Sequence, residues 1–184
     1  VEESAIRFGL AGVKNVGEGA IESIVAARSA GEFKSLVDFC ERIDMRLVNK
    51  RVLESLIKAG AFDWTGLRRS QLLAVCETAV DLAVARQRDK NNGQIGLFGE
   101  EQMNSIDELR IPNLEELPKA QILAMEKEMT GFFVTGHPLD AYRSQLSGVS
   151  KIGTILSKEC TDNQTVKIGG LITTAKRLPT KNGE

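Results

Sequence analysis

Between residues 5 and 64 the apolar residues recur three or four positions apart, and glycines at 9, 12, 17, 19, 31 and 60 interrupt the pattern at what read as turns. A chain written this way is constrained to short helices joined by tight connections. From Gly66 to Lys90 a longer helical stripe follows through Leu72, Leu73, Val75, Cys76, Ala79, Val80 and Ala83. It stops in the polar run Asp89-Lys90-Asn91-Asn92-Gly93, which opens a loop.

An acidic, proline-punctuated linker runs from Glu100 to Leu117, in which Pro112 and Pro118 resist helix. A further helix is expected with Pro118 at its first position, running through Ile122, Leu123, Glu126 and Met129 to a C-terminal cap at Gly131. Pro138 starts another, with Tyr142 and Leu146 one turn apart. The last zone alternates from Thr165 to Ala175: Val166 and Ile168 share a face, Gly169-Gly170 permits a bulge, and Asn182-Gly183 signals a hairpin turn. The sequence stops where a second strand is due, which reads as a β domain cut short.

Composition narrows the class. With 24 Lys and Arg against 25 Asp and Glu, the net charge of −1 argues against a nucleic-acid coat over the whole surface. It leaves room for a local site that grips phosphates. The 184 residues, 42% of them hydrophobic, suffice for one large or two small domains and exclude collagen-like, disordered and disulfide-scaffold classes. No apolar run approaches the roughly 18 to 20 residues that span a bilayer, and Val1 to Arg7 lacks the apolar core of a secretion signal. Three scattered cysteines, Cys40, Cys76 and Cys160, fit reduced thiols in a cytoplasmic protein. The sole histidine, His137, has no cysteine nearby, so no zinc site is expected.

The segment Leu10-Ala11-Gly12-Val13-Lys14-Asn15-Val16-Gly17-Glu18-Gly19-Ala20-Ile21 carries the first chemistry. Val13, Val16, Ile21, Ile24 and Val25 form the inner side of two short helices, and Asn15-Val16-Gly17 is a tight connection that needs small residues or positive φ. This is a helix-hairpin-helix pattern. Such a hairpin leaves the amides at the second helix's N-terminus open, where the helix dipole adds partial positive charge and a phosphate can accept from them. Lys14, Asn15, Val16, Gly17 and Gly19 are the candidate contacts, and they hold the backbone without reading bases. A hairpin that merely packs is the competing reading, and Glu18 weighs on its side.

A second unit runs from Ser35 to Phe62. Ser35 and Asp38 have capping-box spacing, and Val52, Leu53, Leu56 and Ile57 make a stripe ending at Gly60. Arg46, Lys50 and Arg51 sit before or at the start of that helix, against its dipole, so either an anion waits there or the face is simply solvated.

In the loop, Gln94-Ile95-Gly96-Leu97-Phe98 places two adjacent apolar side chains where no periodic element buries them. They either plug a partner's pocket, with Gln94 as an amide anchor, or fold back on their own domain. His137, within Gly131-Phe132-Phe133-Val134-Thr135-Gly136-His137-Pro138-Leu139, has no orienting partner for general-base work and reads as a capping or packing residue. Asp38, Asp44 and Asp63 are separated by predicted helices, so no carboxylate pair is placed to hold two metals.

In this order the pieces resemble the C-family replicative polymerases, the alpha subunits of bacterial DNA polymerase III. The resemblance is carried by Ile6-Arg7-Phe8-Gly9-Leu10 with Val13 to Gly17, by Leu56-Ile57-Lys58-Ala59-Gly60-Ala61-Phe62-Asp63, by Gln94 to Phe98, and by Glu126-Lys127-Glu128 with Gly131 to Phe133 and Thr135 to Leu139. It implies a mainly α fold: a tandem helix-hairpin-helix module over residues 1–64 that grips duplex DNA, then a helix and loop over 65–93. A clamp-binding motif at 94–98, an acidic linker with helices over 99–164, and the truncated first strand of an OB-fold β-barrel over 165–184 complete it.

By the same resemblance Gln94, Leu97 and Phe98 bind the beta sliding clamp, and other holoenzyme subunits are partners. The catalytic carboxylates and their magnesium belong to a palm domain upstream, so these residues are expected to be non-catalytic and to hold no cofactor. Asn15 departs from the pattern, standing where many such hairpins carry Gly. The alternatives are a repair or replication scaffold that uses the hairpins for DNA and the loop for a partner, and, less well supported, a hydrolase with His137 as base.

Overall fold

The computed structural model describes residues 8–91, 109–149 and 164–176 together with Gly153 and Ile155. It divides into two compact units, residues 1–134 and 135–184.

The first unit contains α1 (Glu18–Ser29), α2 (Leu36–Arg42), α3 (Lys50–Lys58), α4 (Arg69–Asn91) and α5 (Lys119–Thr130), with 3₁₀ turns at Leu10–Gly12 and Asp63–Thr65. The start signals work as their chemistry dictates. Ser35 accepts from the Asp38 amide at 3.0 Å and Asn49 from the Val52 amide at 3.1 Å, which caps α2 and α3. Ser35 and Asp38 do not close a reciprocal box, because the Asp38 carboxylate takes the Lys34 amide instead, at 2.8 Å. Helix α5 begins one residue later than expected, with Pro118 as its N-cap, and ends at Gly131 in the left-handed region at φ 81°.

The core gathers the stripes that face one another. Leu53 and Ile57 of α3, Leu72 and Ala79 of α4 and Cys40 of α2 are completely buried, and α4 packs against both α2 and α3. Phe33, Phe39, Phe62 and Trp64 continue this core as a chain of ring contacts, with centroids 4.9, 4.9 and 6.3 Å apart. Among the stripe residues of the hairpin, Val13, Val16 and Ile24 are buried, but Val25 is exposed and Ala20 takes the inward place. The first helix of that hairpin is a single 3₁₀ turn, since only three residues separate Gly9 from Val13.

Burial sets the reactivity of the two described cysteines. It pushes the Cys40 thiol up to about 12 and raises Cys76 as well, so both stay protonated and sealed near neutrality. Native protein treated with iodoacetamide at pH 8 should remain unlabelled at both positions and become labelled in denaturant. Peptide mass spectrometry reads the difference, and rapid native labelling of Cys40 would contradict the packing of α2 on α4.

The second unit contains a 3₁₀ turn at Pro138–Tyr142 and α6 (Arg143–Leu146). His137 is the N-cap of that turn: its Nδ1 accepts from the Leu139 amide at 3.2 Å while the Asp140 carboxylate accepts from the His137 amide at 2.7 Å. The strand expected from Val166 is not formed, for residues 164–176 have no regular secondary structure and Ile168 and Ile172 are exposed. A strand needs a partner for its amides and carbonyls, and none of the described residues supplies one. The Asn182-Gly183 turn lies outside the described residues.

Candidate nucleic-acid interface

The first hairpin is built from the turn upward. Asn15 carries its one left-handed residue, at φ 69°, while Gly17 is ordinary extended backbone at φ −84° and ψ 166°. Gly17 is thus not required by the turn itself. A Cβ added there would meet nothing within 4 Å, and as the N-cap of α1 it offers no side chain to the first amides. That end of α1 therefore has no side-chain cap, and there is room for one.

Helices α2, α3 and α4 contrast with it, whereas α5, with Pro118 as its N-cap, also has no side-chain cap. Asn49 closes α3, and α4 is closed by Glu116 from the linker, whose two carboxylate oxygens accept the Arg69 and Ser70 amides at 3.0 and 3.1 Å. Burial pushes Glu116 up, but the bonds from the amides of Leu117, Ser70 and Arg69 outweigh it and hold the carboxyl below its ordinary value. The acidic linker thus docks on a helix dipole. One of its carboxylates already fills an anion site of the kind that α1 leaves open.

The candidate cations are placed as follows. Lys14, three residues before the N-cap of α1, is half-exposed, with Nζ 3.4 Å from Glu128. Arg46 is almost fully exposed and holds Asp44 through two bonds of 3.0 and 2.7 Å, which keep that carboxyl at about 2. Lys50 pairs with Glu77 at 2.7 Å. Arg51 is exposed and makes no ion pair among the described residues. Val16 is buried, and Gly19 lies against Leu47 of the second hairpin. Residues Gln94, Leu97 and Phe98 lie outside the described residues.

Support for the hairpin comes from behind. The Lys14 amide donates to the Met129 carbonyl at 2.7 Å, and the Asn15 side-chain amide donates to Ser55 Oγ at 3.0 Å. Helix α5, which supplies Met129, is held by Glu126. This carboxylate is fully buried and accepts from Arg69 Nη1 at 3.0 Å and from the Val134 amide at 2.8 Å. Arg69 also grips both oxygens of Asp63 at 3.0 and 2.7 Å and donates to the Lys58 carbonyl. Gly60, at φ 85°, lies so close to this guanidinium that a Cβ would collide with it.

Sequence reasoning overlooked Ser55, Arg69, Glu116 and the role of Glu126. One signal was readable: Ser55 is a small polar residue inside the apolar stripe Val52, Leu53, Leu56, Ile57.

Among the described residues no three His, Cys, Asp or Glu side chains converge. Asp38, Asp44 and Asp63 are each engaged by an arginine, namely Arg42, Arg46 and Arg69. No helix among the described residues is long and apolar enough to cross a membrane.

Comparison with known proteins agrees with this geometry. Residues 1–72 match the helix-hairpin-helix motif family. The chain is 35% identical over 185 residues to DNA polymerase III subunit alpha of Vibrio cholerae, covering 99% of this chain and 16% of that protein. It is 34% identical to the subunit of Bacillus subtilis and 39% identical to that of Halalkalibacterium halodurans, each over 184 residues, all of this chain and 16% of the relative. The chain thus spans about one sixth of the length of these curated relatives.

Proposed function

We propose that this chain, similar over its own length to about one sixth of DNA polymerase III subunit alpha, is a working part of a replicative polymerase: it binds duplex DNA through the phosphate backbone and engages the sliding clamp, while nucleotidyl transfer is performed elsewhere in the longer protein. The observation that carries the DNA-binding part is the N-terminus of α1. Its cap is a glycine that neither the turn nor the packing demands, and a Cβ there would meet nothing within 4 Å. A Ser, Thr, Asp or Asn cap there would stabilise the helix by about a few tenths of a kcal/mol over glycine. Forgoing that cap leaves amides to offer a phosphate, with Lys14 as a point charge beside them.

Arg46, Lys50 and Arg51 add a second, weaker contact region at the other hairpin. Two of these three cations already hold carboxylates, so each phosphate there competes with a bound partner. The clamp contact is assigned to Gln94, Leu97 and Phe98, and residues from Val166 onward to the first strand of an OB-fold that is completed by other parts of the longer chain. Both assignments rest on sequence.

Binding by so few contacts should be sequence-independent, near 10⁻⁴ to 10⁻⁶ M at physiological salt, with a slope of about −0.9 in log affinity against log salt for each phosphate neutralised. Gly17→Val is the decisive variant. Valine suits φ −84° and ψ 166°, so it should fold, but its side chain fills the space that a phosphate needs. Duplex affinity should fall by more than in Lys14→Ala, which should chiefly flatten the salt slope by about 0.9. Fluorescence anisotropy with a short labelled duplex over a salt series measures both. Normal binding by folded Gly17→Val would mean that the hairpin only packs.

A further inference from the structure

The hairpin's geometry depends on one unusual choice. Asn15 occupies the left-handed region, where glycine is the least strained residue, and at φ 69° glycine would complete the turn at no cost. What asparagine adds is an amide. Its Nδ2 reaches across to α3 and donates to Ser55 Oγ at 3.0 Å, and the Ser55 hydroxyl in turn donates to the Arg51 carbonyl at 2.8 Å. Ser55 is only 3% exposed, so it touches no ligand on the surface. It interrupts an apolar stripe in the middle of a helix, where serine forms helix less well than alanine. Each of these residues is a poor local choice, and the bond between them is what they have in common.

That bond lies at the place where orientation matters. The next residue in one direction, Lys14, is fixed by its amide to Met129, and two residues on in the other direction begins the open end of α1. Swinging the turn by even a small angle would re-aim the α1 amides, because only Val16 and Gly17 separate Asn15 from the helix.

We propose that Asn15 and Ser55 are positioning residues for phosphate binding: the bond from the hairpin turn to α3 holds the N-terminus of α1 at the angle from which its amides receive the nucleic-acid backbone. This rests on the duplex-binding reading and extends it to a buried residue on the second hairpin. The two hairpins are thereby one device, in which the second sets the aim of the first.

The test uses Asn15→Gly, Ser55→Ala and the double variant of the whole 184-residue chain. Glycine accepts the turn and alanine favours the helix, so helical circular dichroism should be unchanged in all three. Anisotropy with a short mixed-sequence duplex should show each single variant weakened by about two- to tenfold, the loss associated with one orienting hydrogen bond. The double variant should be no weaker than the worse single one. The salt slope should stay that of the wild type, because no cation is removed.

Ser55→Ala carries the most weight, for a buried residue changes binding only by acting through another. If Ser55→Ala binds as the wild type does while Asn15→Gly is weakened, Asn15 touches the phosphate directly and the positioning role is wrong. Losses that multiply in the double variant, or no loss in any variant, also overturn it. Failure of the wild type itself to bind duplex would instead remove the duplex-binding reading, and this inference with it.

Discussion

Glu126→Ala should destabilise the first unit by about 3–5 kcal/mol, the cost of removing one partner from a buried ion pair. The carboxylate is fully buried, and Arg69 opposite is 4% exposed. Alanine takes one acceptor from Arg69 Nη1, which keeps the Lys58 carbonyl, and takes the acceptor from the Val134 amide, a second loss in the same small volume. Asp63 still holds the other side of the guanidinium through two bonds, which places the expected cost toward the lower end of the range.

Two comparisons give this number its meaning. Glu126→Gln keeps an oxygen for Val134 or Arg69 and should cost less. Glu128→Ala, two residues on, breaks an exposed pair with Lys14 and should cost under about 1 kcal/mol. Urea denaturation followed by helical signal measures all three, provided the transitions keep a common slope. A midpoint for Glu126→Ala equal to that of Glu128→Ala would show that the buried pair adds nothing beyond a surface one.

The second large effect is expected at residues 94–98. If Leu97 and Phe98 fill an apolar pocket on the sliding clamp, each contributes roughly 1.5–3 kcal/mol before ordering costs, and a short peptide has little other contact area. Replacing both by alanine should therefore weaken clamp binding by about a hundredfold or more, which for a modest starting affinity means loss of detectable binding. Gln94→Ala should have a smaller effect, since it removes one polar anchor. Duplex affinity should be the same in wild type and double variant, because the hairpins and residues 94–98 are separate segments of the sequence. Clamp and duplex are titrated separately by surface plasmon resonance and anisotropy. Unchanged clamp affinity would return Leu97 and Phe98 to local packing, and a parallel fall in both affinities would show a misfolded variant and place the two residues in the fold.

The sequence was legible where one kind of local chemistry decides the outcome. Helix starts at Ser35 and Pro118, the stop at Gly131 and the long stripe of α4 all follow from spacing and capping, and the structure places them within a residue or two. The first hairpin was legible as a motif but not in its mechanics. Its positive φ could have fallen on Asn15 or Gly17, and only the coordinates assign it to Asn15, which changes Gly17 from a structural necessity into an unexplained vacancy in front of a helix.

Long-range polar pairs were not legible at all. Arg69 and Glu126 are 57 residues apart, and Arg68 to Ser70 look like an ordinary polar helix start. Nothing in periodicity says that one of those arginines is buried, or that Glu126 on the same face as Leu123 and Met129 is there as a counter-ion. The acidic linker was misleading in the same way: Glu116 reads as one more charge in a connecting segment and is in fact a helix cap.

The bond between the Lys14 amide and the Met129 carbonyl also fixes when this hairpin can be finished. On a ribosome Lys14 emerges long before its supports, and Glu128, its ion-pair partner, follows 114 residues later. At about 5–20 residues per second that is a delay of roughly 6–23 s. During that interval the matched hairpin motif exists without α5 behind it and without the Glu126 carboxylate to receive Arg69. A nascent chain arrested before residue 119 should therefore carry the hairpins in a looser state, easily cut by protease, and gain resistance only once α5 has cleared the exit tunnel.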